Sequence, residues 1–157
     1  MAGRSSKLAA SLPLYEGADE LRLRTWVQLV RTFYLMQRRI VAVLAEQDVT
    51  LPQFDVLATL RFGEGVTQQE LAERLLVTKG NVCGLLDRLE AVGWVERRAD
   101  AADRRVNRLF LTTAGRRKIE SLLPRHDALV VESLGELSDA DVRAMRRSLE
   151  ALERAAS

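Results

Sequence analysis

The chain has 157 residues, a length that suits one ordinary domain able to bury a core. A single Cys excludes an intramolecular disulfide and a cysteine-based zinc site, a single His excludes a histidine metal cluster, and a net charge of +2 says less than where the charges lie. Hydrophobic residues at 47% with only 9 Gly and 3 Pro favour a soluble helical fold.

No apolar run approaches the roughly 20 residues that cross a bilayer. Residues 1–17 contain Ser, Pro and Gly without periodicity and read as a mobile N-terminal arm, with Leu12, Leu14 and Tyr15 available to dock on a partner subunit. The start has a weak signal-peptide look, but Ser11 and Pro13 interrupt its apolar part and no clear cleavage site follows, so a cytoplasmic protein is expected. Residues 18–47 carry a stripe of Leu23, Trp26, Val27, Val30, Phe33, Tyr34, Gln37, Val41 and Leu44 at three- and four-residue steps. A helix of roughly 45 Å follows at about 1.5 Å per residue, more than a compact monomer covers, so it is expected to pack on a second chain as well.

Thr50, Pro52 and Gln53 combine a capping box with a proline in the first turn, opening a helix that turns Phe54, Leu57 and Leu60 inward and stops near Gly63-Glu64-Gly65. Thr67 and Glu70 form a second capping box, ahead of a short helix with Leu71, Ala72 and Leu75. Thr78 caps the next helix, whose Val82, Leu85, Leu86 and Leu89 make one buried stripe and whose end falls at Gly93. Two short helices joined by a tight turn form a helix-turn-helix, although this turn lacks its frequent glycine. Trp94 to Arg98 and Arg105 to Leu111 read as two strands of a hairpin crowded with arginines, a wing. Thr112 caps a long helix striped by Ile119, Leu122, Leu123, His126, Leu129, Val130 and Leu134, in which Pro124 is expected to place a kink. Ser138 and Asp141 open a last helix carrying Val142, Met145, Leu149 and Leu152.

The fold class expected is mainly α: a winged helix-turn-helix with a small β-hairpin wing, its lobe at 50–111, and helices at 18–47 and 113–157 for dimerisation. The exposed side of the third short helix begins Lys79, Gly80, Asn81, Cys83, Gly84. It is small and polar, so its backbone can approach a major groove about 12 Å wide. Thr67, Gln68, Thr78, Arg88, Arg98, Asp103, Arg104 and Arg105 complete the expected DNA-binding set. Helix N-termini favour phosphate, and arginines supply phosphate contacts or enter a narrow minor groove.

The order of elements, with Asp103-Arg104-Arg105 followed by Leu111-Thr112-Thr113-Ala114-Gly115, resembles the MarR family of bacterial winged-helix transcription regulators. Leu51-Pro52-Gln53-Phe54-Asp55-Val56-Leu57 and Leu86-Asp87-Arg88-Leu89-Glu90-Ala91-Val92-Gly93-Trp94-Val95 also look like family segments. The resemblance covers roughly residues 20–155 and implies a homodimer with intertwined terminal helices on a pseudo-palindromic operator. It implies Thr78, Lys79, Gly80 and Asn81 at the major groove and Arg105 in the minor groove, with Asp103 orienting it or a neighbouring arginine. It further implies repression, with release by a small aromatic or phenolic effector. Where many relatives have proline, this chain has Ala99-Asp100-Ala101-Ala102, which predicts a looser wing tip.

Other features carry plainer readings. Cys83, next to the buried Val82, is expected to be half covered and inert. His126 is expected to pack in the dimer seam with one hydrogen bond. Arg22, Trp26, Val30, Phe33, Met36 and Phe54 are candidates for an effector pocket, although an aromatic stripe at helical spacing is more often core. Asp87 and Glu90 read as surface partners of Arg88 and similar residues. No phosphate loop, nucleophile–base pair or metal-ligand spacing is present, so neither an enzyme nor a cofactor is expected. The alternative to DNA reading is a helical dimerisation or protein-interaction module whose winged helix reads no DNA.

Overall fold

The computed structural model describes residues 20–156. The expected arm at 1–17 lies outside them. The chain divides into two compact units with the boundary between Arg39 and Ile40, inside the first helix.

That helix, α1 (Glu20–Ala45), has 26 residues. Within the first unit it exposes Leu21, Trp26, Phe33, Tyr34 and Leu35. Its other end belongs to the second unit, where Leu44 is fully buried. In that unit follow α2 (Leu51–Phe62), β1 (Val66–Thr67), α3 (Gln68–Arg74), α4 (Lys79–Ala91), β2 (Val95–Ala99), β3 (Asn107–Leu111), α5 (Thr113–Leu134) and α6 (Asp139–Ala156).

The helix starts form as their sequences predict. Thr50 and Gln53, and Thr67 and Glu70, make reciprocal capping boxes. Thr78 accepts from the Asn81 amide and Thr112 from the Gly115 amide. α4 ends where Gly93, at φ 71°, turns the chain so that the Trp94 N–H reaches the Leu89 carbonyl at 2.9 Å. α5 runs unbroken through Pro124.

The sheet is antiparallel, in the order β1-β3-β2. β2 and β3 pair from Val95↔Leu111 to Ala99↔Asn107, and Val66↔Leu109 adds β1. The third strand is unannounced in the sequence, because two residues carry no alternation. The returning strand also starts two residues later than its composition predicts: Arg105 and Val106 belong to the turn, where the Val106 N–H bonds to the Asp103 carbonyl.

The core joins Leu57 and Leu60 of α2, Leu71 of α3, Val82, Leu86 and Leu89 of α4, Leu109 of β3, and Ile119 and Leu122 of α5, all nearly solvent-free. Each such side chain contributes roughly 1.5–3 kcal/mol of transfer free energy. The core therefore holds α4 by one face and leaves the other outside. α6 buries none of its residues, and exposes Met145, Leu149 and Leu152 along one side.

Candidate nucleic-acid interface

The stripe of α4 divides that helix cleanly. Val82, Leu85, Leu86 and Leu89 are buried, while Thr78, Lys79, Gly80, Asn81, Cys83, Gly84 and Arg88 are exposed. No atom of a neighbouring segment comes within 4 Å of where a Cβ would stand on Gly80 or Gly84, so the outer face is open as well as small. Cys83 is exposed rather than half covered: the step of about 100° from Val82 carries it round to the outer side.

The turn before α4 solves the missing-glycine problem at a cost. Leu76 takes the left-handed conformation, φ 54°, and is 93% exposed. The Val77 N–H still reaches the Ala72 carbonyl at 3.0 Å, which closes the turn. Gln68 reaches across from α3 and donates to the Lys79 carbonyl at 3.3 Å. Thr67 is occupied by its capping box. These two residues thus brace the helix pair.

The wing places its arginines in two groups. Arg97 is held by Asp87 and Glu90 of α4. Burial works against its charge, but the two carboxylates outweigh that and hold its pKa above the ordinary value. The side-chain partner of Asp87 and Glu90 is therefore the wing residue Arg97, not Arg88. Adjacent positions on a helix point apart, whereas Asp87 and Glu90, three apart, share a face.

Arg108 pairs with Asp100 and donates to the Gly65 carbonyl at 2.8 Å, tying β3 to the end of the α2–β1 loop. Asp100 also accepts from the Ala102 and Asp103 amides, at 2.7 and 3.1 Å. The Arg108 guanidinium and these amides pull the Asp100 pKa down to about 2. The wing tip is thus tied where the absence of proline predicts looseness. Asp103 accepts from the Arg105 amide at 3.0 Å, shaping the backbone of the turn.

The second group makes no ion pair to another element among the described residues. Arg98 lies over the Phe110 ring at 4.5 Å and pairs with Glu96 of its own strand, both near the surface. Among the described residues the Arg104 and Arg105 side chains have no ion-pair partner, and both are exposed beside the tip. Lys79 and Arg88 are likewise exposed on α4. The wing root is fixed separately: Glu64 accepts from the Leu111 amide at 3.1 Å and from Arg116 at 2.6 Å. Glu64 escapes a sequence reading because its partners Leu111 and Arg116 are distant in the chain, and the choice of Arg97 by Asp87 and Glu90 escapes it because that pairing crosses from helix to strand.

The residues considered for an effector fall in both units. Arg22, Trp26, Val30, Phe33 and Met36 lie on α1 in the first. Phe54 lies in the second, buried, with its ring 4.7 Å from that of His126. His126 is partly buried, and its Nδ1 lies 2.9 Å from Asp127. The described residues hold no group of three or more His, Cys, Asp or Glu placed to bind a metal, and no helix among them is long and apolar enough to cross a membrane.

A three-helix lobe with a basic two-stranded wing and an open-faced third helix is a winged helix-turn-helix. Residues 47–106 match the model of the MarR family. The transcriptional regulator HosA of Escherichia coli O127:H6 is 35% identical over 91 residues, 58% of this chain and 67% of HosA. The chain belongs to the MarR family. An HTH-type transcriptional regulator of Bacillus cereus is 34% identical over 99 residues, 63% of this chain and 65% of that protein. The match thus spans just under two thirds of the Bacillus relative. Among solved structures, a mutant MarR from E. coli complexed with operator DNA superposes with a TM-score of 0.76 at 27% identity, over 87% of this chain and 99% of that one. CouR from Rhodococcus jostii RHA1, bound to p-coumaroyl-CoA, superposes with a TM-score of 0.72 at 27% identity, over 80% and 88%.

Proposed function

We propose that this protein is a DNA-binding transcription regulator that binds a pseudo-palindromic operator as a homodimer and represses from it. One observation carries the reading: α4 turns an unobstructed small face outward, beside a wing whose Arg104 and Arg105 side chains have no ion-pair partner among the described residues. A relative of the same fold complexed with operator DNA supports it. The small face brings the backbone close to base edges, and Asn81 offers the amide that suits adenine. The unpaired arginines supply phosphate or minor-groove contacts.

The apolar side chains that α1 and α6 each expose support the dimer, since such surface seeks a partner. A small aromatic or phenolic effector releases the complex. The p-coumaroyl-CoA held by CouR supports that class, as do Trp26 and Phe33, which α1 leaves exposed. The proposal has no catalytic step and needs no cofactor.

Selection of bound sites from a random duplex library tests the whole reading. The expected result is an inverted repeat with half-sites about one helical turn apart, bound with an affinity that falls steeply with salt. Failure to enrich any duplex at low salt, or a single-strand preference, overturns it. Addition of p-coumaric acid or its CoA ester to the enriched complex tests the effector class, with a loss of affinity expected.

A further inference from the structure

Arg97 sits in the middle of β2, opposite the fully buried Leu109 of β3. Its side chain leaves the sheet toward α4. There Nη2 donates to Asp87 Oδ1 at 2.8 Å and Nη1 donates to Glu90. Its backbone N–H donates to Glu90 as well, at 3.0 Å. The Arg97 side chain is 20% exposed, whereas that of the neighbouring Arg98 points to the other side of the strand and is 58% exposed. One residue thus fixes both the strand backbone and a guanidinium to the same face of the helix.

The charge balance argues against a phosphate contact. Two carboxylates surround one guanidinium, so the cluster carries a net charge of about −1 and repels an approaching phosphate. Its geometry suits another task. α4 and β2 are joined in sequence by Val92, Gly93 and Trp94 and share the core through Leu89 and Val95, and the forked arginine adds a restraint on orientation as well as distance.

We propose that Arg97 is a positioning residue that locks the wing to α4 at a set angle, so that the helix face and the unpaired Arg104 and Arg105 meet one duplex in register. It reads nothing itself. This rests on the DNA-binding reading above and names the part of the lobe that sets its specificity. Losing the lock lets the hairpin pivot, which costs the specific complex, in which both elements must fit at once, and spares binding to random sequence.

The test uses the full-length protein with a labelled duplex from the selected library and a random duplex of equal length, titrated at several salt concentrations. The variants are Arg97→Gln, the double variant Asp87→Asn/Glu90→Gln, and Arg105→Ala for comparison. Arg97→Gln and the double variant are each expected to weaken selected-site binding by roughly tenfold, comparable to a mismatched base pair. Neither is expected to weaken random-duplex binding or to change the slope of log affinity against log salt. Arg105→Ala is expected to reduce that slope by about 0.9, the loss of one phosphate contact. Faster hydrogen exchange at the Arg97 amide in the double variant reports the broken lock directly. Arg97→Lys keeps the charge without the fork, so it gives the same loss of specificity and serves if Arg97→Gln fails to fold.

The proposal is overturned if Arg97→Gln lowers the salt slope by about 0.9 while the double variant binds more tightly, which makes Arg97 a phosphate ligand. It is overturned equally if the ratio of selected to random affinity is unchanged in folded variants. A wild-type protein that selects no duplex overturns the DNA reading beneath it, a result distinct from both.

Discussion

Gly115 occupies the third position of α5, in an ordinary helical conformation that any residue adopts. What demands glycine is space: a Cβ there would lie 1.9 Å from the Trp94 carbonyl oxygen. That carbonyl accepts from the Thr112 amide at 3.1 Å, and the Thr112 hydroxyl donates to the Gly93 carbonyl at 2.6 Å. The Leu-Thr-x-x-Gly run is therefore the joint between the end of α4, the wing and α5. Gly115→Ala is expected to destabilise by about 3 kcal/mol, since the obstacle is backbone. Urea unfolding checks this as a lowered midpoint with an unchanged slope. Leu76 is the opposite case. Its left-handed backbone costs about 1–2 kcal/mol for a side chain that covers almost nothing. Leu76→Gly is expected to raise the thermal midpoint, by a net roughly 0.5–1 kcal/mol once the freer unfolded chain is counted.

At the scale of elements, the wing is an electrostatic construction and has a pH signature. Asp100 has its pKa lowered from 3.8 to about 2 by Arg108 and two amides. A carboxylate with a depressed folded pKa stabilises fully above its unfolded value and loses that contribution as pH falls through the folded one. The wing is thus expected to loosen between about pH 4 and pH 2. Compared with the wild type, Asp100→Asn is expected to show a shallower fall of the melting temperature across that window. Asp55 runs the other way: burial raises its pKa, only partly countered by His126, so its charging costs stability as pH rises through the raised value. Asp55→Asn is therefore expected to be neutral or stabilising at about pH 7, measured by the same melts. Most of the helices were legible beforehand, because caps and apolar spacing are local signals: Thr50, Thr67, Thr78 and Thr112 all mark true starts. The two-residue β1 was not, because it exists only through its pairing with β3.

For the whole molecule, the proposed dimer covers apolar side chains that α1 and α6 leave exposed. α6 buries none of its own residues, and Met145, Leu149 and Leu152 lie at four- and three-residue steps along it. Association through such a face makes folding concentration-dependent. The melting temperature is expected to rise with protein concentration, and Leu149→Glu in α6 is expected to lower it and shift sedimentation toward the monomer. A melting temperature independent of concentration, with a monomer mass at micromolar protein, removes the dimer from the proposal. Loss of the dimer is expected to weaken operator binding far more than random-duplex binding, because only paired half-sites gain from two linked readers.

By itself the sequence determined the helices, the hairpin, the sidedness of α4 and the likeness of its wing motif to a known family, since each of these is written in residues close together in the chain. Tertiary structure alone decided which arginines are available. Arg97, Arg98, Arg104, Arg105 and Arg108 are alike in composition and lie within 12 positions of one another. Yet Arg97 is taken by Asp87 and Glu90 of the helix before, Arg108 by Asp100 and the Gly65 carbonyl, and Arg104 and Arg105 by no carboxylate among the described residues. Charge is a property of the residue, but whether it is already neutralised depends on partners that only folding brings within a few ångströms.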